Sequence, residues 1–105
     1  MIFLAAAMDP PDTLTRRVLI EGYVQGVGYR AYACRAALRL GISGWVRNRR
    51  DGTVEALITG TPDRVERMLA ELRRGPYGAH VRSVRLIEPG DAEWTAGAFL
   101  PRATL

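Results

Sequence analysis

The chain contains no lysine; all fifteen of its basic residues are arginine. That removes Schiff-base chemistry and the lysine-dependent Walker A phosphate loop. Arginine stays protonated at any working pH, so the basic groups hold fixed charge and do not carry protons. There is one cysteine, Cys34, and one histidine, His80. An intrachain disulfide framework is therefore excluded, and a multi-ligand metal site has little to be built from. Long apolar runs are also missing. Met1 to Met8 is apolar, but it lacks the basic start of a signal peptide and is too short to span a bilayer. No membrane partner is expected, and the location expected is cytoplasmic.

What is present fits a single globular domain. The 105 residues are 48% hydrophobic and 25% charged, enough to bury a core without staples. The net charge of +4 favours an anionic partner, either a phosphorylated metabolite or nucleic acid, and charge alone does not separate the two. Asp9-Pro10-Pro11-Asp12 reads as a break in the chain. Residues 1–15 are thus expected to form a flexible extension, with Met8 as an alternative start. Residues 16–100 form the domain, and 101–105 a short tail. Nothing in the sequence requires more than a monomer.

Periodicity supplies the elements. Arg16 to Val24 reads as a strand, and a glycine-bearing loop, Gln25 to Gly28, follows. A helix is expected from Tyr29 to Leu40, with Ala33, Ala36, Ala37 and Leu40 on one face and Gly41 as its stop. Ser43 to Arg50 and Gly52 to Thr59 read as strands joined by Asp51-Gly52, a strong hairpin signal. Val54, Ala56 and Ile58 are expected to face the core. Thr61 and Pro62 open a second helix with Val65, Met68, Leu69 and Leu72 buried, closed by Gly75-Pro76. Val81 to Ile87 is a fourth strand, and Trp94 to Leu100 a short fifth strand limited by Pro101. The order βαββαβ predicts an α+β sandwich, an antiparallel sheet with two helices on one face.

The segment Gln25-Gly26-Val27-Gly28-Tyr29-Arg30 concentrates the chemistry. A glycine loop leading into a helix can turn successive N–H groups and the helix dipole onto one anion. Arg30 adds a permanent charge and a planar fork matched to phosphate oxygens. Two rivals deserve weighing. Gly26 to Ala31 formally matches the dinucleotide fingerprint G-x-G-x-x-A, but a hairpin follows where a doubly wound fold needs crossovers. RNA-recognition modules share the βαββαβ order and stack bases on aromatic residues of the central strands. Tyr23 and Trp45 sit on strands, yet the third strand, Thr53 to Thr59, carries no aromatic residue, which disfavours nucleic acid.

The run Gly22 to Arg30 closely resembles the acylphosphatase signature V-Q-G-V-G-[FY]-R. Gly41 to Asn48 resembles that family's second block, L-G-x-x-G-W-V-x-N, and Asp51-Gly52-Thr53-Val54 and Gly75-Pro76 match its D-G-x-V and G-P. The resemblance covers residues 16–100. It implies a ferredoxin-like fold and hydrolysis of a small acyl phosphate to a carboxylate and inorganic phosphate, without metal or cofactor. It also implies that Arg30 and the loop amides of Gln25, Gly26, Val27, Gly28 and Tyr29 bind phosphate, and that Asn48 orients the attacking water, with the substrate phosphate assisting its deprotonation. Inorganic phosphate or sulfate would be a fitting occupant of the loop. The family's loop also occurs at the start of larger carbamoyltransferases of hydrogenase maturation, which leaves a non-catalytic or accessory anion-binding domain as the alternative. Those carry proline after the motif arginine, where this chain has Ala31.

Other residues read more plainly. Arg47, Arg49 and Arg50 are expected to form a solvated strand edge. Trp45 is expected to pack, Cys34 to be inert, His80 to lie at the surface, and Tyr29 to bury its ring and fix the loop.

Overall fold

The computed structural model describes residues 13–88 and 97–105. The expected extension lies outside the described residues up to residue 12; its last residues, Leu14 and Thr15, belong to the first strand. Five strands and two helices follow in the order β1 (Leu14–Tyr23), α1 (Tyr29–Leu40), β2 (Ser43–Asn48), β3 (Val54–Gly60), α2 (Pro62–Arg74), β4 (His80–Ile87) and β5 (Phe99–Pro101). The sheet order is β4-β1-β3-β2-β5. The first four strands pair antiparallel, and the two helices complete the ferredoxin-like α+β sandwich.

The core lies between sheet and helices. Val18, Ile20, Val46, Val54, Ala56 and Ile58 from alternate strand positions meet Ala33, Ala36 and Ala37 of α1 and Val65, Met68, Leu69 and Leu72 of α2. Three alanines on α1 keep that helix close to the sheet, which brings its N-terminus near the ends of the central strands. Gly41 closes α1 in the left-handed conformation, its N–H bonding to Ala37 O, as the glycine stop requires.

Two sequence expectations need correction. The first concerns β5, which spans Phe99–Pro101 and runs parallel to β2, with Pro101 beside Val46. Pro101 does not limit the strand; it belongs to it. Contacts to β2 come from Ala98 O, which accepts from Gly44 N (2.7 Å), and Arg102 N, which donates to Val46 O (2.8 Å). The position of Pro101 points its missing donor away from the ladder, the one arrangement an edge strand tolerates. Beyond it, Leu105 N donates to Asn48 O and Arg50 N to Leu105 O, so residues 102–105 continue along β2. Trp94, placed in this strand by its apolar run, lies outside the described residues.

The second correction concerns the sheet face away from the helices. Val54, Ala56 and Ile58 face the core as expected, yet Glu55 and Leu57 on the opposite face are also buried. Arginines surround Glu55, and Leu57 pairs with Trp45 of β2. Glu55 Oε1 accepts from Arg47 Nε (2.9 Å) and an Arg49 guanidinium nitrogen (3.0 Å), and its Oε2 accepts from Arg17 Nε (2.6 Å). Arg47 also lies over the Trp45 ring at 4.8 Å and Arg102 at 5.5 Å. Arg47 and Arg49 are therefore bound into a cluster and do not form the expected solvated edge. A buried carboxylate holds them there, because it is stable only when its charge is matched.

Candidate active site

The strand-to-helix loop departs from an ordinary helix start in three ways. Gly26 and Gly28 adopt φ of 76° and 77°, the left-handed region that L side chains rarely enter. Gly28 is the N-cap of α1, and no side chain caps it. The first turn contains no acidic residue; it contains Arg30. The other helix of the same molecule shows the usual arrangement: the Thr61 hydroxyl accepts from Arg64 N, and Asp63 occupies the first turn. In α2 the dipole and the orphan N–H groups are answered from within the chain. In α1 no side chain caps them and no acidic residue stands in the first turn. A Cβ built at Gly26 or Gly28 would meet nothing within 4 Å, so these glycines serve backbone conformation and leave open room beside the amides.

Buried contacts hold the loop. Tyr29 is 2% exposed, and its hydroxyl donates to Leu72 O at 2.7 Å, tying the start of α1 to the last turns of α2. Burial, followed by the neighbouring Tyr32, pushes its phenol well above the ordinary range, so it stays a hydrogen-bond donor. This is the ring burial that the sequence led us to expect. Val27 packs against the core.

Gln25 has a role the sequence did not disclose. Its side-chain Nε2 donates to Arg49 O and to Thr53 O, both at 2.8 Å. Those two carbonyls flank the β2–β3 turn, so one amide group clamps the glycine loop to the hairpin that follows Asn48. Gln25→Ala is expected to remove one donor from each carbonyl, which keep their backbone partners Gly52 N and Arg49 N, and to cost about 1 kcal/mol, measurable as a lowered urea midpoint. An unchanged midpoint would show that the clamp holds nothing.

Loop and hairpin meet at a cavity of about 330 Å³ whose lining includes Gly26, Gly28, Arg30 and Asn48. Residues eighteen positions apart in sequence thereby share one small space. Arg30 stands half-buried with no carboxylate partner among the described residues. A fixed cation, the amides of a glycine loop and a neutral amide side chain around one cavity suit a small anion.

The Acylphosphatase family model matches residues 16–96 of the chain. The chain belongs to the acylphosphatase family. An acylphosphatase of Azoarcus sp. (strain BH72) is 58% identical over 91 residues, covering 86% of this chain and 90% of the relative. The acylphosphatase structure from Coxiella burnetii is 30% identical, covers 87% of this chain and 94% of its own, and superposes with a TM-score of 0.75. Full-length HypF, in a phosphate- and nucleotide-bound form, shares the fold at 22% identity and a TM-score of 0.70 over 88% of this chain, but only 12% of HypF is covered. Membership in the acylphosphatase family makes the chain an enzyme, a hydrolase of acyl phosphates. Among the described residues no helix is long and apolar enough to cross a membrane.

Proposed function

We propose that this acylphosphatase holds the phosphoryl group of an acyl phosphate in the 25–30 loop, with Arg30 and the loop amides of Gln25, Gly26, Val27, Gly28 and Tyr29 as donors, while Asn48 orients the water that attacks phosphorus. The supporting observation is the shared cavity: the uncapped, left-handed glycine loop, Arg30 and Asn48 all open onto it. The water oxygen bonds to phosphorus, the bond to the carboxylate oxygen breaks, and the carboxylate leaves with its electron pair. A water proton passes to a phosphate oxygen. The leaving group is already good, so the protein's task is placement and charge stabilisation. Preorganised N–H donors and a guanidinium fixed beforehand supply that without reorganising during the step.

Asn48 donates and accepts hydrogen bonds but has no basic site. It can align a water and cannot deprotonate it, which is why the proton goes to the substrate. Asn48→Ala is expected to slow turnover about 10- to 100-fold while leaving competitive inhibition by inorganic phosphate largely intact. A variant with full kcat would remove Asn48 from the reaction.

Neither Arg30 nor Asn48 needs a metal for these roles, and among the described residues no three His, Cys, Asp or Glu side chains gather as metal ligands. Purified protein is expected to hydrolyse benzoyl phosphate with no metal added, at a rate EDTA does not change. Turnover no faster than the uncatalysed reaction would overturn the mechanism. We read the protein as a cytoplasmic monomer, on the sequence grounds given above.

A further inference from the structure

Asn48 is the last residue of β2 and has an arginine on either side. Side chains alternate along a strand, so Asn48 lines the cavity on the helix side while Arg47 and Arg49 lie on the opposite face. There both reach one carboxylate oxygen. Glu55 Oε1 accepts from Arg47 Nε at 2.9 Å and from an Arg49 guanidinium nitrogen at 3.0 Å. Glu55 is fully buried in β3, and its other oxygen accepts from Arg17 Nε of β1 at 2.6 Å. The backbone of Asn48 is held differently, by its pairing with Val54 and by Leu105 N, which donates to Asn48 O at 3.1 Å.

We propose that Glu55 is a positioning residue for catalysis: from behind the sheet, through Arg47 and Arg49, it aims the Asn48 amide at the attacking water. The inference rests on the role given to Asn48 above. Ladder hydrogen bonds lie in the plane of the sheet and fix where β2 runs. They oppose rotation of the strand end about its own axis only weakly, and such a rotation swings Asn48 across the cavity. Arg47 and Arg49 are tethered, one residue before Asn48 and one after, to a single point on the far face, and this arrangement resists the rotation. With the carboxylate neutralised, the two guanidiniums lose a charged acceptor and repel each other, so residues 47–49 turn. Arg17 shares the carboxylate but belongs to β1, so its loss weakens the cluster without releasing Asn48. The phosphate loop keeps its own hold through Tyr29 and α2, which leaves phosphate binding in place.

The test measures kcat, KM and phosphate inhibition with benzoyl phosphate, on protein shown to be folded by near-UV circular dichroism. Glu55→Gln is expected to lower kcat about tenfold, short of the roughly 10²-fold that a full ångström of misplacement can cost, with KM and phosphate inhibition little changed. Arg49→Met, which removes one tether and leaves Glu55 two partners, is expected to lower kcat severalfold in the same way, and it carries the test should Glu55→Gln not fold. Arg17→Met is expected to lower the urea midpoint and keep the wild-type kcat. Because the effect runs through Asn48, adding Glu55→Gln (or Arg49→Met) to Asn48→Ala should slow that variant no further. Wild-type kcat in both Glu55→Gln and Arg49→Met would overturn the proposal. So would a kcat loss in Arg17→Met as large as theirs, or losses that multiply with that of Asn48→Ala. Wild-type kcat in Asn48→Ala itself would instead overturn the role of Asn48 on which the proposal depends.

Discussion

Arg30→Ala is expected to lower kcat/KM for benzoyl phosphate by about 10²–10³, the loss seen when one preorganised donor to a developing charge is removed. The expectation follows from how little else in the cavity carries charge. The loop amides provide dipoles, Asn48 is neutral, and Arg30 is the one charged side chain among the described residues lining the cavity. With no carboxylate to neutralise it, its guanidinium is available to the phosphoryl oxygens throughout the reaction. Inhibition by inorganic phosphate should weaken in parallel, because the same contact serves ground state and transition state. This separates Arg30 from Asn48, whose loss is expected to spare phosphate binding. Arg30→Lys keeps the charge but not the two-pronged geometry, and should recover only part of the rate. Full activity in Arg30→Ala would shift the anion site to the amides alone.

The largest expected loss of stability lies on the other face of the sheet. Glu55 is fully buried and accepts from Arg17, Arg47 and Arg49. Glu55→Gln keeps the volume and removes the charge, leaving three guanidiniums facing one another. Breaking a fully buried pair costs about 3–5 kcal/mol; here the arginine side chains are 20–30% exposed, so water offsets part of it, and about 2–4 kcal/mol is expected in urea unfolding. The same contacts set the pH dependence. Burial alone would raise the carboxyl, but the hydrogen bonds from Arg47, Arg17 and Arg49 outweigh it and hold the group below its ordinary value of 4.5. A depressed folded-state value means that the stabilisation is complete above the unfolded value and is lost as pH falls through the folded one. Glu21, held down by Ser83 and then Arg85, and Asp51, held down by Thr53, act in the same direction. Acidification from neutral to about pH 3 should therefore destabilise the wild type, and destabilise Glu55→Gln by less. Identical pH profiles would assign the acid sensitivity to other carboxylates.

The elements that carry the site were readable in the residues. The Gly26–Gly28 spacing, the helix from Tyr29 to Leu40 and the Asp51-Gly52 turn all stand where local chemistry put them, because each depends on backbone preference within a few positions. Asn48 was different. Nothing local distinguishes it from a turn former, and its tie to Arg30 came through the second family block; the cavity brings the two together through the tertiary fold. The Glu55 cluster went unread, although a signal existed. Counting outward from the turn pairs Asn48 with Val54 and Arg47 with Glu55, so an acidic residue in mid-strand faced an arginine directly. Arg17 could not be found this way, since its approach depends on β1 pairing with β3. A short fifth strand was legible, but its parallel pairing with β2 and its place at Phe99–Pro101 were not, because three residues leave no periodicity to read.

The sheet order β4-β1-β3-β2-β5 also determines when this enzyme becomes an enzyme. The strand that delivers the glycine loop is flanked by partners from residues 54–60 and 80–87, neither of them its neighbour along the chain. Such pairings must close long loops before any contact rewards them, and folding slows accordingly. The helix N-terminus can flicker into existence early, but the Gln25 clamp needs the hairpin in place, and Tyr29 needs the last turn of α2. The loop geometry thus depends on the hairpin and α2 being in place, and under the binding mode proposed above inorganic phosphate is expected to favour completed molecules over the unfolded chain.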